Sequence, residues 1–518
     1  INGKVITDKL IARKNILAKE SLKYYKFISH DVNVLGSNES EYFRISKSNG
    51  DSIKLVVYSL RKKADTSFVM YQRVFDPHVT REVRMYGFNG DDKFQLDSGL
   101  HSSISFRIIG GKGNDTVLIK SPIKTFVYDN TTEKNYLERS RRTVKVYEDN
   151  PRAFDYQLNN FNYPVKRFPR ILAGSNADDG FLLGTGFNLI NYGFRKVPYA
   201  SSHKLIALFA VSRKAFQIKY NGELIHALGK TDFLINAGIT NPVLNNFYGF
   251  GNTTKLDPTK PISFYRVRYK EIQGEFLLRK RYFDKLSFIA GPTFYRYWNE
   301  EKDNKDYILA KPSEAGLDSG DVYKSKLYAG AKLAIELDNL NNDLFPTRGI
   351  RWTNRLTLLQ PLNKNANGLN KIESDMVIYA SLKIPAKVVG VIKLGGGHIF
   401  NDSVDYFQAL SLGANNVLRG FRKNRFSGHS VAYGSLELRI KLFDSHSYIF
   451  PGQVGAIVFN DIGRVWYKGE DSKKWHNVIG GGFYYNPFNI VIMSFTVGYS
   501  PEEQVLNFSL GSKFNLTF

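Results

Sequence analysis

The stretch Leu327-Tyr328-Ala329-Gly330-Ala331-Lys332-Leu333-Ala334-Ile335-Glu336-Leu337-Asp338 alternates in character along its length. Leu327, Ala329, Ala331, Leu333, Ile335 and Leu337 share one face of an extended chain, and Tyr328, Lys332, Glu336 and Asp338 share the other. Such a strand buries one face and wets the other. Two further stretches behave alike. Leu436, Leu438, Ile440 and Leu442 stand opposite Ser435, Glu437, Arg439 and Lys441. At the C-terminus Leu506, Phe508, Leu510, Phe514, Leu516 and Phe518 oppose Asn507, Ser509, Gly511, Lys513, Asn515 and Thr517. A soluble strand averages about 5 to 6 residues, whereas a tilted strand needs about 9 to 11 to cross a bilayer. The longer of these segments suit the bilayer.

Working outward from them, about sixteen period-two segments separated by Gly, Asn, Asp and Pro fill the chain from Arg170 to Phe518. The fold class they predict is all-β, a sixteen-stranded antiparallel transmembrane barrel over residues 168–518. An even count lets the chain close with both ends on one side. Closure is an energetic need, because an open sheet edge in hydrocarbon leaves backbone groups unpaired at several kcal/mol each. The first strand, read near Arg170 to Ser175, is short and contains Gly174, which predicts weak pairing at the closing seam. No uncharged apolar run of eighteen residues is present, which excludes a transmembrane helix. Mean hydropathy is −0.31, a value that soluble domains and barrels share, since every second barrel residue faces a polar lumen. Aromatic residues decide between them. At 14%, with 31 Tyr and 38 Phe, they match the aromatic girdles of a barrel.

The composition also removes function classes. The chain has no Cys, so disulfides, thiolate metal sites and thiol catalysis are excluded. Its net charge is +24, but Lys and Arg are dispersed without a basic tract or a nucleic-acid-binding signature. Anionic lipid headgroups such as outer-membrane lipid, lipopolysaccharide or an acidic partner are the expected counter-charges, and no nucleic acid is expected. The nine histidines, among them His203, His226, His398, His429 and His476, lack metal-ligand spacing. No nucleophile elbow or P-loop occurs, so no catalytic residue and no enzyme activity is expected within the chain. The chain begins at Ile1 without Met or a secretory leader, so a processed or truncated product is expected, with further sequence upstream.

Residues 1–130 read as a small soluble β domain, a β-solenoid or sandwich, followed by a polar linker over 131–167. Its signal is a repeat 23 residues apart. Gly87-Phe88-Asn89-Gly90-Asp91-Asp92-Lys93-Phe94 aligns with Gly110-Gly111-Lys112-Gly113-Asn114-Asp115-Thr116-Val117, each copy between two apolar strands. The second copy resembles the calcium-binding turn of repeat-in-toxin β-rolls, which makes Asp91, Asp92 and Asp115 weak calcium candidates. The plainer reading is that Asn and Gly supply left-handed turns while Asp caps backbone amides. It is favoured, and no cofactor is otherwise expected.

Five segments of the C-terminal region resemble, in order, those of the Omp85 superfamily of surface-antigen and outer-membrane assembly proteins. They are Asn246-Phe247-Tyr248-Gly249-Phe250-Gly251-Asn252, Asn342-Asp343-Leu344-Phe345-Pro346-Thr347-Arg348-Gly349, Leu418-Arg419-Gly420-Phe421, Ser435-Leu436-Glu437-Leu438-Arg439 and Phe459-Asn460-Asp461-Ile462-Gly463. The third departs from the V-R-G-[FY] pattern by Leu418. The resemblance implies insertion or translocation of proteins at the outer membrane, client proteins and accessory subunits as partners, and a periplasmic N-terminal domain. It also implies a sixth loop that folds into the lumen and is locked there by Arg419, Gly420 and Phe421, with Asp461 as main partner of the arginine and Glu437 and Gly463 nearby. Gly511, Phe514, Leu516 and Phe518 resemble a C-terminal barrel-assembly signal. No helix pair of a POTRA module, the periplasmic domain of core assembly factors, is legible in residues 1–150. That region looks instead like the one preceding such barrels in Bacteroidota proteins that carry an upstream metallophosphoesterase, so an anchor or exporter for a fused domain is the alternative, with a passive channel third.

Overall fold

A computed structural model describes residues 3–60, 68–147, 156, 166–176, 180–194, 196, 198–414, 417–488 and 491–512. The chain divides into two compact units, Ile1–Phe161 and Asn162–Phe518.

The first unit opens with a helix, Gly3–Ile28, none of whose residues is buried. This corrects the reading of residues 1 to 130 as strands throughout. Ile6, Leu10, Leu17 and Tyr24 recur at helical spacing, but Lys and Arg interrupt the stripe, which hid the period. The rest is a β-solenoid. Asp31–Leu35, Glu82–Asn89, Ser105–Lys112, Thr125–Asp129 and Thr143–Tyr147 stack in parallel as one sheet. Glu41–Lys47, Lys93–Leu96, Thr116–Ile119 and Tyr136–Glu138 stack in parallel as the other, which Ile53–Ser59 and Val69–Phe75 extend antiparallel. The repeat is visible in the register, where Glu82 pairs with Ser105 and Lys93 with Thr116. Phe43, Ile45, Leu55, Met85, Phe94, Phe106, Ile108 and Val117 fill the space between the sheets. Strands of three and five residues, Tyr136–Glu138 and Thr143–Tyr147, continue the solenoid into the segment expected to be a linker. Their polarity disguised them; among the described residues they form the end coil, with a neighbour on one side.

The main sheet of the second unit has sixteen antiparallel strands, each paired with the next strand of that sheet, from Lys166–Asn176 to Gln504–Ser512, and Leu410–Leu412 pairs with Phe426–Gly428 as a separate two-stranded sheet. The strands of the main sheet run from 9 residues in Val491–Tyr499 to 17 in Arg266–Tyr282. Alternation sorts them as expected. Leu333 and Ile335 are each 43% exposed, while Tyr328, on the other face, is fully buried. One end carries the long connections 247–265, 299–325 and 400–429, and the other carries tight turns such as 229–230 and 283–285. Large apolar residues in those turns, Phe283, Leu382 and Tyr448, are almost wholly exposed, a placement that suits a membrane interface. The first strand is longer than expected. It spans eleven residues, all paired with the second strand, because Lys166 and Arg167 extend it beyond the apolar run. Among the described residues no ladder joins it to the last strand. No described helix is long and apolar enough to cross a membrane.

Candidate functional site

The site follows from which faces the strands turn inward. On the twelfth strand, Ser430–Ser445, and the thirteenth, Gly452–Trp466, Ser435 faces Asp461 and Glu437 faces Phe459. Leu436, Leu438, Val458 and Ile462 alternate with them on the exposed outer face. Two carboxylates, a hydroxyl and an aromatic ring therefore meet on the inner wall. Asp461 is fully buried, and a buried carboxylate requires a cationic or hydrogen-bonding partner.

The partner is Arg419, from the loop 400–429. Its Nε donates to Asp461 Oδ2 at 2.9 Å and its Nη2 to Asp461 Oδ1 at 2.8 Å, a forked pair. Nη1 donates to Glu437 Oε2 at 2.5 Å and Nη2 also to Ser435 Oγ at 3.0 Å. Ser435 Oγ donates to Asp461 Oδ1 at 2.7 Å, and the Arg419 backbone N–H reaches Asp461 Oδ2 at 3.2 Å. The guanidinium carbon lies 3.5 Å from the Phe459 ring centre, within cation–π range. Arg439 completes the set with Nε donating to Glu437 Oε1 at 2.7 Å. Both carboxylates and the Ser435 hydroxyl are thus matched inside the wall.

The loop is shaped to reach this wall. A Cβ on Gly420 would lie 2.8 Å from Val478 Cγ1 and 3.1 Å from the Ser500 nitrogen, so only Gly fits. Phe421, 1% exposed, packs edge-on against Phe426 and His476. Gly463 leaves room for Leu412 of the loop, whose Cδ1 would stand 2.9 Å from an added Cβ. Further along, Lys423 Nζ donates to Leu244 O at 3.0 Å and Asn246 Nδ2 to Lys423 O at 3.2 Å. Leu244 and Asn246 belong to the fifth strand, Thr231–Asn246. The loop therefore crosses from the twelfth and thirteenth strands to the fifth, on the far side of the sheet order.

Several contributors were not singled out in the sequence. Asn507 of the last strand donates through Nδ2 to the Arg419 carbonyl at 2.8 Å. Asn252, the last residue of the Asn246–Asn252 motif, is fully buried and accepts from the Val465 N–H at 3.2 Å. Its Nδ2 donates to Lys474 O at 2.8 Å, and its N–H donates to Glu470 Oε2 at 2.6 Å. That motif fastens two loops of the same end together. The terminal Asn in the motif was the available signal.

The other sequence candidates lie elsewhere. In the solenoid the carboxylates form a ladder: Glu41 N–H donates to Asp92 Oδ1 at 2.8 Å, Asp92 N–H to Asp115 Oδ1 at 2.9 Å, and Asp115 N–H to Asn135 Oδ1 at 2.8 Å. Asp91 Oδ1 accepts from Asn114 N–H at 2.7 Å. Each side chain caps an amide of the neighbouring coil. Burial, with the adjacent acidic groups, raises the Asp92 carboxyl to about 9 and that of Asp115 to about 8. Among the described residues no group of three or more His, Asp or Glu is placed to hold a metal. Gly511 lies in the last strand, whereas Phe514, Leu516 and Phe518 lie outside the described residues.

Residues 215–514 match the family model of the Omp85 superfamily domain. The chain belongs to the Omp85 superfamily. Among solved structures it is similar to BamA from Haemophilus ducreyi lacking POTRA domains 1–3, at 16% identity and a TM-score of 0.47, over 71% of each chain. It is also similar to CdiB from Escherichia coli, at 14% identity and a TM-score of 0.42, over 72% of this chain and 65% of that one. CdiB from Acinetobacter baumannii follows at 10% identity and a TM-score of 0.41, over 67% and 60%. No curated protein sequence matches the chain. As a member of the Omp85 superfamily this is an outer-membrane β-barrel. The Arg419 cluster joins three of the five segments by which its sequence resembles that family.

Proposed function

We propose that this barrel inserts client proteins into the outer membrane or translocates them across it, with the Arg419 loop as its internal plug. The observation that carries the reading is the latch of Arg419 on Asp461, Ser435 and Glu437. A loop fastened across the lumen opposes passive conduction, and a forked, buried ion pair is a contact with two definite states, made or broken. The first and last strands supply the second element. An edge without a ladder partner templates an incoming strand, so the seam is where a client β-strand would pair. In this reading the long-loop end faces outward, the N-terminal unit is periplasmic, and the partners are unfolded client proteins, lipopolysaccharide and lipid on the outer wall, and accessory subunits. In this reading no bond chemistry is assigned to the described residues.

A second reading has its own support. The solenoid is covalently joined to the barrel, which fits a barrel that anchors or exports its own attached domains, as in Bacteroidota chains with an upstream metallophosphoesterase. Depletion of the protein in its source bacterium, followed by outer-membrane proteomics, separates the two. Broad loss of other barrels supports insertion of clients. Loss of one surface protein, with the other barrels intact, refutes it in favour of dedicated export.

A further inference from the structure

The loop that carries Arg419 holds two more arginines, and neither points to the wall cluster. Arg425 is fully buried, a costly position for a cation unless every donor is matched. Its Nε donates to Glu502 Oε2 at 2.7 Å and its Nη2 to Glu502 Oε1 at 2.8 Å, again a fork. Nη1 donates to Thr254 Oγ1 at 2.7 Å and Nη2 to Thr254 O at 2.6 Å. Phe426 lies 4.6 Å from the guanidinium carbon and Tyr248 5.1 Å. Arg422 meets the next carboxylate, with Nε 2.9 Å from Glu503 Oε1 and Nη2 2.8 Å from Glu503 Oε2.

Glu502 and Glu503 are not wall residues. They lie in the tight connection 500–503 between Val491–Tyr499 and Gln504–Ser512, the fifteenth strand and the last. That connection is itself ordered, since the Glu502 and Glu503 N–H groups donate to Ser500 Oγ at 3.3 and 3.2 Å. The loop backbone presses on the same two strands. A Cβ on Gly498 would lie 2.6 Å from the Arg419 carbonyl carbon, and Asn507 of the last strand donates to the Arg419 carbonyl. Residues 419–425 are therefore bound at one point to the twelfth and thirteenth strands and at several to the hairpin that ends in the seam.

We infer that Arg422 and Arg425 are positioning residues that clasp the last strand's hairpin to the lumenal loop, so that releasing the loop also frees the strand at the seam. This rests on the plug reading above and gives it a regulation: the seam strand stays held until the loop leaves. The plug and the gate become one moving part. Among the described residues the last strand's ladder is the one to Val491–Tyr499, so the two clasps act on a strand with no described ladder on its other edge.

Hydrogen–deuterium exchange of the full chain in detergent micelles tests this without any client, so its outcome does not depend on whether the barrel inserts proteins. Glu502→Gln keeps the side-chain shape and removes the charge. It should raise exchange of the amides in 504–512 at least about tenfold and leave those of 430–445 unchanged. Arg422→Glu and Glu503→Arg should each do the same to a smaller degree, and the two together should restore slow exchange. Faster exchange confined to the loop around Thr254, or no recovery in the paired charge swap, would overturn the clasp and leave these residues as ties between outer loops. Heat-modifiable migration in electrophoresis establishes that each variant measured is a folded barrel.

Discussion

Asp461→Asn is the sharpest perturbation of the latch, because it keeps the side chain's shape and removes one charge. In the native chain both Asp461 oxygens accept from Arg419, one of them from two of its donors. An amide offers a single acceptor oxygen, so half of the fork is lost and an NH2 group faces a guanidinium N–H. Asp461 is fully buried and the Arg419 side chain is 22% exposed, so water replaces little of the loss. Glu437 and Ser435 remain as partners, which keeps the cost below that of an orphaned buried charge. From the range of about 3 to 5 kcal/mol for breaking a buried pair, about 2 to 3 kcal/mol is left for this change. Divided by about 1.4 kcal/mol per tenfold, the loop's displaced population rises about 30- to 150-fold. Trypsin, acting on folded barrel in micelles, reads that population through cleavage at Arg419, Arg422, Lys423 and Arg425, provided reclosing is faster than cleavage. Cleavage should quicken by that factor in Asp461→Asn. Arg419→Lys, which retains the charge without the fork, should fall between it and the native chain. Cleavage at the native rate in Asp461→Asn would refute the latch as the loop's main restraint.

Other outcomes follow from the same contacts. In the solenoid, burial raises the carboxyls of Asp92, Asp115 and Asp129 to about 9, 8 and 6, so the folded unit holds protons that the unfolded chain, with carboxyls near about 3.9, releases. The stabilisation is complete below about pH 4 and is lost as pH rises through those three values; the unit's thermal transition should fall from pH 4 to pH 9, and Asp115→Asn should flatten the slope. Gly420→Val should displace the loop tip from Val478 and Ser500 and raise tryptic cleavage at least as much as Asp461→Asn; equal protection to the native chain would remove the steric argument. Deleting Phe518 should lower the heat-modifiable fraction recovered from membranes, and an unchanged yield would leave the C-terminal alternation as a lipid-facing strand only.

The barrel was legible because a strand fixes side-chain direction with period two. Once Leu436 and Leu438 are assigned to lipid, Glu437 has only the lumen left. Glu437 could thus be read from alternation, whereas Asp461 and Arg419 came from the segments that resemble the family, and the register that sets Asp461 opposite Ser435 is seen only in the structure. Arg422, Arg425 and Glu502 could be read from neither. They sit in loops, where no period ties a residue number to a direction, and Arg425 in particular looks like a solvated loop cation until the Glu502 fork and the Tyr248 and Phe426 rings are seen around it. The helix Gly3–Ile28 escaped for the opposite reason: its apolar positions follow a helical period, but with no buried face there was no unbroken stripe to read. The 23-residue repeat was legible because stacked coils must repeat their turn chemistry, and the ladder from Glu41 to Asn135 shows what the repeated Asp does.

A barrel with a loop in its lumen, whose first and last strands share no ladder among the described residues, has to solve two problems that pull against each other. An edge strand in hydrocarbon exposes backbone groups at several kcal/mol each, which drives it to pair with the first strand or with any extended chain that arrives. A permanently closed seam would meet that demand and leave no place for a client. The arrangement here places the decision in the loop. Asn507 and the 500–503 hairpin tie the last strand to residues 419–425, and those residues are tied in turn to Asp461 and Glu437. While both sets of contacts hold, the last strand is positioned by the lumen as well as by its neighbour, and seam pairing is one of several restraints. Displacement of the loop would remove all of them together, and among the described residues the ladder left to the strand is the one to Val491–Tyr499. The energetic threshold for opening is therefore set by buried charge pairs, whose strength is geometric and local, rather than by the number of hydrogen bonds along the seam.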